Sequence, residues 1–132
     1  MNKFLGLDIG QKRIGVAMAE GKTVAPYDLI NNLSLEEAVG EIAKICRRED
    51  ISKIIIGLPC SKDRLQADKI YQFAFTLAKN LNLPLEFVDE TLTSKEAERN
   101  LIKTKIKPLS RRFKKEVDKL SAQYILEQYL NK

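Results

Sequence analysis

The sequence predicts an α/β fold built on a mixed five-stranded sheet flanked by helices, and three observations carry that prediction. The early part of the chain reads as strands joined by short polar turns. The later part alternates apolar strand runs with amphipathic helical periods. The run Lys53–Leu58 (KIIIGL) is a continuous β-branched stretch of the kind buried on both faces of a sheet. Hairpins first and strand–helix alternation afterwards give the order β-β-β-α-β-α-β-α-α in one domain spanning residues 1–132.

Each element has its own justification. Lys3–Ile9 (KFLGLDI) is apolar, and Gly10 to Arg13 break it before Ile14–Ala19 resumes, which reads as a hairpin. Thr23–Leu29 makes a third strand, with Pro26 placing it at an edge or a bulge. Ser34-Leu35-Glu36-Glu37 is a capping box, and Leu35, Ala38, Val39, Ile42, Ile45 and Cys46 follow at helical spacing over Leu35–Arg48. After Lys53–Leu58 and a polar loop, Ala67–Leu81 presents Ile70, Phe73, Ala74, Leu77 and Leu81 on one helical face. Pro84–Val88 is the last strand and delivers Asp89-Glu90. Thr93-Ser94-Lys95-Glu96 is a second capping box opening a helix over Ser94–Ile102. A final helix over Phe113–Leu130 turns Val117, Leu120, Tyr124, Ile125 and Leu126 to the core.

Composition limits the chemistry. The 132 residues are 44% hydrophobic and 31% charged, a globular balance that fits neither a disordered chain nor a membrane span. Asp8 and the lack of a small-residue cleavage site argue against a signal peptide, so the expected location is the cytoplasm. There is no His, which excludes Ser-His-Asp and Cys-His catalysis and His-bound zinc. Cys46 and Cys60 form no CxxC pair; Cys46 reads as partly buried core, and Cys60 follows a turn. Charge is concentrated: Lys103, Lys105, Lys107, Arg111, Arg112, Lys114 and Lys115 place seven cations in one segment without an acid, more than the net +5 of the whole chain. The rest of the chain is therefore slightly acidic. A basic strap on such a body suits a polyanion, and a solvated flexible loop is the plainer reading.

Three acids stand where functional groups collect. Asp8 closes the first strand, Glu90 follows the last, and Asp118 lies early in the final helix just before the small Ser121 and Ala122. Parallel strands would put Asp8 and Glu90 on one rim of the sheet. Two unit charges ~4 Å apart repel by about 4 kcal/mol at an effective dielectric of ~20, so three close carboxylates cost roughly 12 kcal/mol. A domain is stable by only ~5–15 kcal/mol. Such a cluster binds cations, protonates or does not form. Oxygen ligands favour Mg²⁺ or Mn²⁺. Beside a basic strap they suit phosphodiester chemistry, with one ion activating water and a second stabilising the leaving oxygen. Each acid also has a plainer role. Asp8 can satisfy turn amides, Asp89 and Glu90 suit a helix N-terminus, and Asp118 can pair locally with Lys114 or Lys115.

Four blocks in register resemble the bacterial YqgF (RuvX) family: Leu7–Ala17 (LDIGQKRIGVA), Ile54–Pro59 (IIIGLP), Val88–Ser94 (VDETLTS) and Val117–Ala122 (VDKLSA). The resemblance covers essentially the whole chain. It implies an RNase H-like fold and a nuclease described for Holliday junctions and for precursor 16S ribosomal RNA. It implies that Asp8, Glu90 and Asp118 are the catalytic, metal-holding acids, and that cleavage leaves 5′-phosphate and 3′-hydroxyl ends. Lys12 and Arg13 match basic positions after the first acid. Two departures stand out: Thr91 replaces the family's Arg after the Asp-Glu pair, and Asp63-Arg64 replaces its Asp-Gly. Arg13, Lys95 or Arg99 are the candidates to supply the missing cation.

The combined expectation is an Mg²⁺- or Mn²⁺-dependent endonuclease acting on structured RNA, the 16S precursor above all, as a monomer or weak homodimer. Lys12, Arg13, Arg64, Lys95, Arg99, Lys107, Arg111, Arg112, Lys114 and Lys115 would contact nucleic acid, mainly its backbone, because few exposed aromatics are expected. Rival readings are a four-way DNA junction resolvase, a module that binds nucleic acid without cutting, and a nucleotide-binding domain. The last arises because Asp-Ile-Gly followed by Ile-Gly-Val-Ala also resembles the phosphate loop of actin-like kinases.

Overall fold

Strand alternation organises the first sheet contacts. The computed structural model describes residues 2–58, 64–89 and 111–131, with the side chains of residues 64 and 111–114 outside that description. β1 (Lys3–Ile9) and β2 (Arg13–Glu20) form an antiparallel hairpin with Asp8 opposite Gly15 and Ile9 opposite Ile14. One face of this pair carries the buried Leu5, Leu7, Ile9, Ile14 and Val16. The other carries Phe4, Gly6, Asp8, Arg13, Gly15, Ala17 and Ala19, of which Gly6, Gly15, Ala17 and Ala19 are small. The turn is closed by the Gly10 N–H donating to Arg13 O at 2.9 Å.

β3 (Thr23–Asn31) adds antiparallel to β2 at the sheet edge, with the register shifting opposite Val16/Ala17. Pro26 thus sits on an edge strand beside a bulge, both of which spare the sheet a missing amide donor. α1 (Leu35–Glu49) starts with Ser34 Oγ accepting from the Glu37 N–H at 3.4 Å and ends at Asp50, whose φ of 56° is left-handed. β4 (Lys53–Leu58) lies parallel to β1 and, on its other side, to β5 (Leu85–Asp89). The sheet order is β3-β2-β1-β4-β5, the expected mixed five-stranded sheet. Ile54 and Ile56 join one core while Ile55 joins the other, the two-sided burial that the β-branched run predicts.

Helices cover both faces. α1 and α2 (Arg64–Asn80) pack on the Leu5–Leu7 face, where Ile42, Ile70, Phe73 and Leu77 are buried as their spacing predicts. α3 (Arg111–Leu130) packs on the small-residue face. Several boundaries move by one to three residues, two of them at helix starts. α2 begins at Arg64 rather than Ala67, and the final helix begins at Arg111 rather than Phe113, so the last part of the basic strap is helical rather than loop. The buried stripe of α3 is Ser121, Ala122, Ile125 and Leu126, with Val117, Leu120 and Tyr124 only half-buried. The reason is steric: a Cβ at Gly6 would meet the Leu126 side chain at 2.5 Å and the Ala122 carbonyl oxygen at 3.1 Å, so the helix lies where Leu126 packs over a strand position with no side chain. The predicted helix over Ser94–Ile102 and the strap's residues 103–110 lie outside the described residues. Among the described residues, no helix is long and apolar enough to cross a membrane.

Candidate active site

The close approach of α3 assembles the site. Asp8 and Gly15 are cross-strand partners, so their side-chain positions share a face. A Cβ on Gly15 would stand 2.8 Å from the Asp118 carbonyl carbon and closer to its oxygen. The backbone of α3 at Asp118 therefore rests directly on β2, beside Asp8. Expected from the sequence was a helix-side cause, the small Ser121 and Ala122, and both are fully buried. The strand-side cause, Gly6 and Gly15 facing the helix, was not read. A glycine inside a strand is the signal for such an approach.

Asp118 is held from across the chain. Arg13 Nε donates to Asp118 Oδ2 at 3.0 Å over a separation of 105 residues. The partner thus comes from the β1–β2 hairpin rather than from Lys115, and the side chain of Lys114 lies outside the described residues. Burial raises the Asp118 carboxyl above the ordinary aspartate range, and the Arg13 hydrogen bond and charge oppose that rise without cancelling it. Arg13 acts here as a carboxylate partner, occupying by ion pairing a role that differs from its expected contact with nucleic acid.

Parallel strands place the third acid's strand on the same rim. β1, β4 and β5 run in one direction, with Leu7 level with Ile56 and Gly57 level with Val88. Two strand spacings, roughly 10 Å, separate β1 from β5. Ile55 and Val88 face α3, and alternation puts Gly57, which has no side chain, between Asp8 and Val88 on that face. Glu90 itself lies outside the described residues, as do Lys95, Arg99 and Lys107. Arg64, Arg111, Arg112 and Lys114 occupy first turns of α2 and α3, and nothing further is described of their side chains. Lys12, on the β1–β2 turn, and Lys115, on α3, are exposed.

The donor chemistry suits a hard divalent cation. Asp8 and Asp118 are both carboxylates, the oxygen donors a hard divalent cation takes, and Gly15 and Gly57 add no side chain to the face that carries Asp8. Among the described residues no group of three acids forms a metal site by itself. Cys46 is buried and its thiol is pushed up to about 11 by desolvation, so it is core rather than chemistry. Exposed large aromatics are few among the described residues, Tyr71 and Phe75 on α2 at 49% and 62% exposed. They flank the buried stripe of that helix, one position away from Ile70 and Ala74. Lys79 Nζ lies 4.4 Å from the Phe75 ring centre.

Comparison with known proteins gives the family and the fold. The family profile described as "RuvX: Holliday junction resolvase" matches residues 2–132. A protein of Syntrophus aciditrophicus named "Putative pre-16S rRNA nuclease" is 40% identical, covering 98% of this chain and 88% of its own. The fold is similar to that of Thermus thermophilus RuvC in complex with a Holliday junction substrate, with a TM-score of 0.64, 9% identity, and 99% and 96% of the two chains covered. It is also similar to fowlpox virus resolvase in its Holliday junction DNA complex, with a TM-score of 0.58, 14% identity, and 98% and 99% covered. The sheet and its helices are thus RNase H-like. With nearly every residue inside the matched span, the chain belongs to the RuvX family.

Proposed function

We propose that this chain is a divalent-cation-dependent endonuclease that hydrolyses phosphodiester bonds in structured RNA, with the 5′ end of precursor 16S ribosomal RNA as its substrate in the cytoplasm. The observation that carries the reading is the seating of α3 on Gly15, which puts the Asp118 backbone beside Asp8 at the carboxyl ends of the parallel strands. The 40% identity to a relative named for pre-16S rRNA supports the substrate.

Asp8 and Asp118 would hold Mg²⁺ or Mn²⁺, with Glu90 as third ligand two residues beyond the α3-facing Val88. Bound there, one or two such ions supply water activation and charge stabilisation at the leaving oxygen. Arg13 is a positioning residue: its grip on Oδ2 fixes the rotation of the Asp118 carboxylate. Lys12 and Lys115, with Arg64, Lys95, Arg99, Lys107, Arg111, Arg112 and Lys114, would bind the phosphate backbone. Five such contacts to single-stranded RNA predict that log K falls with log salt at a slope of about −3.5.

The test is cleavage of a precursor-end RNA with Mg²⁺ by the parent and by Asp8→Asn. A loss of at least ~100-fold in the variant is expected. Equal activity in both defeats the assignment, and activity in neither favours a binding module. A second reading, cutting of four-way DNA junctions, is favoured by the description of the matching family. Paired symmetric cuts on a junction, made by a dimer, would establish it over RNA.

A further inference from the structure

A cleft of about 500 Å³ opens on the opposite side of the β1–β2 turn from the acids. Ile9, Gly10 and Gln11 form one wall, Asn32 to Leu35 a second, and the first half of α2 the third. Its lining is unusual in charge. Gln11, Asn32, Gln66 and Gln72 contribute four carboxamides and Lys69 one cation, and none of the described lining residues is acidic. Ile70 and Phe73 make an apolar floor that is almost completely buried, while Leu33 stands 83% exposed at the margin. Asn32 Nδ2 donates to Gly10 O at 2.7 Å, so the cleft and the β1–β2 turn form one unit.

We propose that this cleft receives one unpaired nucleobase of the strand that crosses the acids, with Lys69 on its phosphate. The inference rests on the nucleic-acid reading above. A carboxamide offers a donor and an acceptor side by side, which is the pattern of a base edge. An apolar floor with an aliphatic margin takes a flat ring, and the volume falls within the range of small-ligand sites. Carboxylates, which would repel the attached phosphates, are missing from the described lining. Position supplies the link to cleavage. Gly10 is two residues from Asp8, about 7 Å of extended chain, so the acid and the cleft flank one turn, and a strand at the acids would reach the cleft by passing round it. The nuclease would then select a splayed base near the cut, as single-stranded RNA recognition commonly does.

The experiment is titration of the ¹⁵N-labelled chain, without divalent ions, with adenosine 5′-monophosphate and separately with ribose 5-phosphate. The nucleotide should shift the side-chain amide signals of Gln11, Asn32 and Gln72 saturably, with a Kd on the order of 1 mM, and ribose 5-phosphate should bind about tenfold more weakly. The double variant Lys69→Met, Gln72→Leu, at two exposed positions, should weaken nucleotide binding at least about fivefold with an unchanged urea midpoint. Equal binding of ribose 5-phosphate reduces the cleft to a phosphate contact and overturns the proposal. Shifts that map elsewhere, or none, overturn it as well. Asp8→Asn should bind the nucleotide as the parent does. If the nucleotide binds but cleavage does not depend on Asp8, the catalytic reading fails and the cleft stands; the reverse result removes the cleft alone.

Discussion

Replacing Gly15 by Ala tests the contact that builds the site. The added methyl carbon would lie 2.8 Å from the Asp118 carbonyl carbon, and ordinary contact begins near 3.4 Å. The obstacle is helix backbone, which has no rotamer to change. Relief requires α3 to retreat by roughly 1 Å or β2 to bend, and overpacking of this kind costs about 1–3 kcal/mol. The same displacement carries Asp118 away from Asp8 and from Arg13 Nε, and a misplacement of ~1 Å can lower a catalytic rate about 100-fold. Urea denaturation and RNA cleavage by the same preparation read both effects. Gly40→Ala is the control, because a Cβ there meets nothing within 4 Å inside α1. That variant should gain roughly 0.5–1 kcal/mol. If Gly15→Ala matches the parent in stability and cleavage, the close seating of α3 is not what organises the acids.

Three further outcomes are expected. Asp118→Asn, without divalent ions, should be at least as stable as the parent at neutral pH. The parent carboxyl is raised above 3.8 by burial, so the folded state keeps its proton to higher pH. The stability from that proton is complete below 3.8 and is lost as pH rises through the folded value. Urea midpoints across that range should flatten in the variant, and a marked drop at neutral pH would mean that the Arg13 ion pair outweighs burial. The Cys46 thiol, pushed up to about 11, should resist alkylation at pH 8 until the chain unfolds, as peptide mass spectrometry would locate. Ser34→Ala should cost about 0.5–1 kcal/mol in urea denaturation, because it removes the oxygen that caps the Glu37 N–H at 3.4 Å.

Much of the architecture was legible because it depends on local pattern. The KIIIGL run announced a strand covered on both faces, and the Ser34 capping box announced the start of α1. Pro26 announced an edge or a bulge, and β3 supplies both. The acids Asp8 and Asp118 were legible as candidates from their places near the end of one strand and the start of one helix. Their partners were not. Arg13 and Asp118 are 105 residues apart, and no periodicity links them. The buried stripe of α3 was displaced for a related reason: hydrophobic spacing favours Leu120 and Tyr124, whereas the seating of the helix on Gly6 and Gly15 buries Ser121 and Ala122 instead. Tyr71 and Phe75 fall off the helical face that carries Ile70, Phe73, Ala74 and Leu77, and both are exposed.

The span between Arg13 and Asp118 also has a consequence for the order in which the protein is made. Translation adds about 5–20 residues each second, so roughly 5–20 s pass between the two partners. The hairpin and its neighbouring strand can pair soon after synthesis, but Asp8 waits for a helix not yet polymerised. A nascent chain still growing on a ribosome therefore lacks the Arg13–Asp118 ion pair until its final helix has emerged.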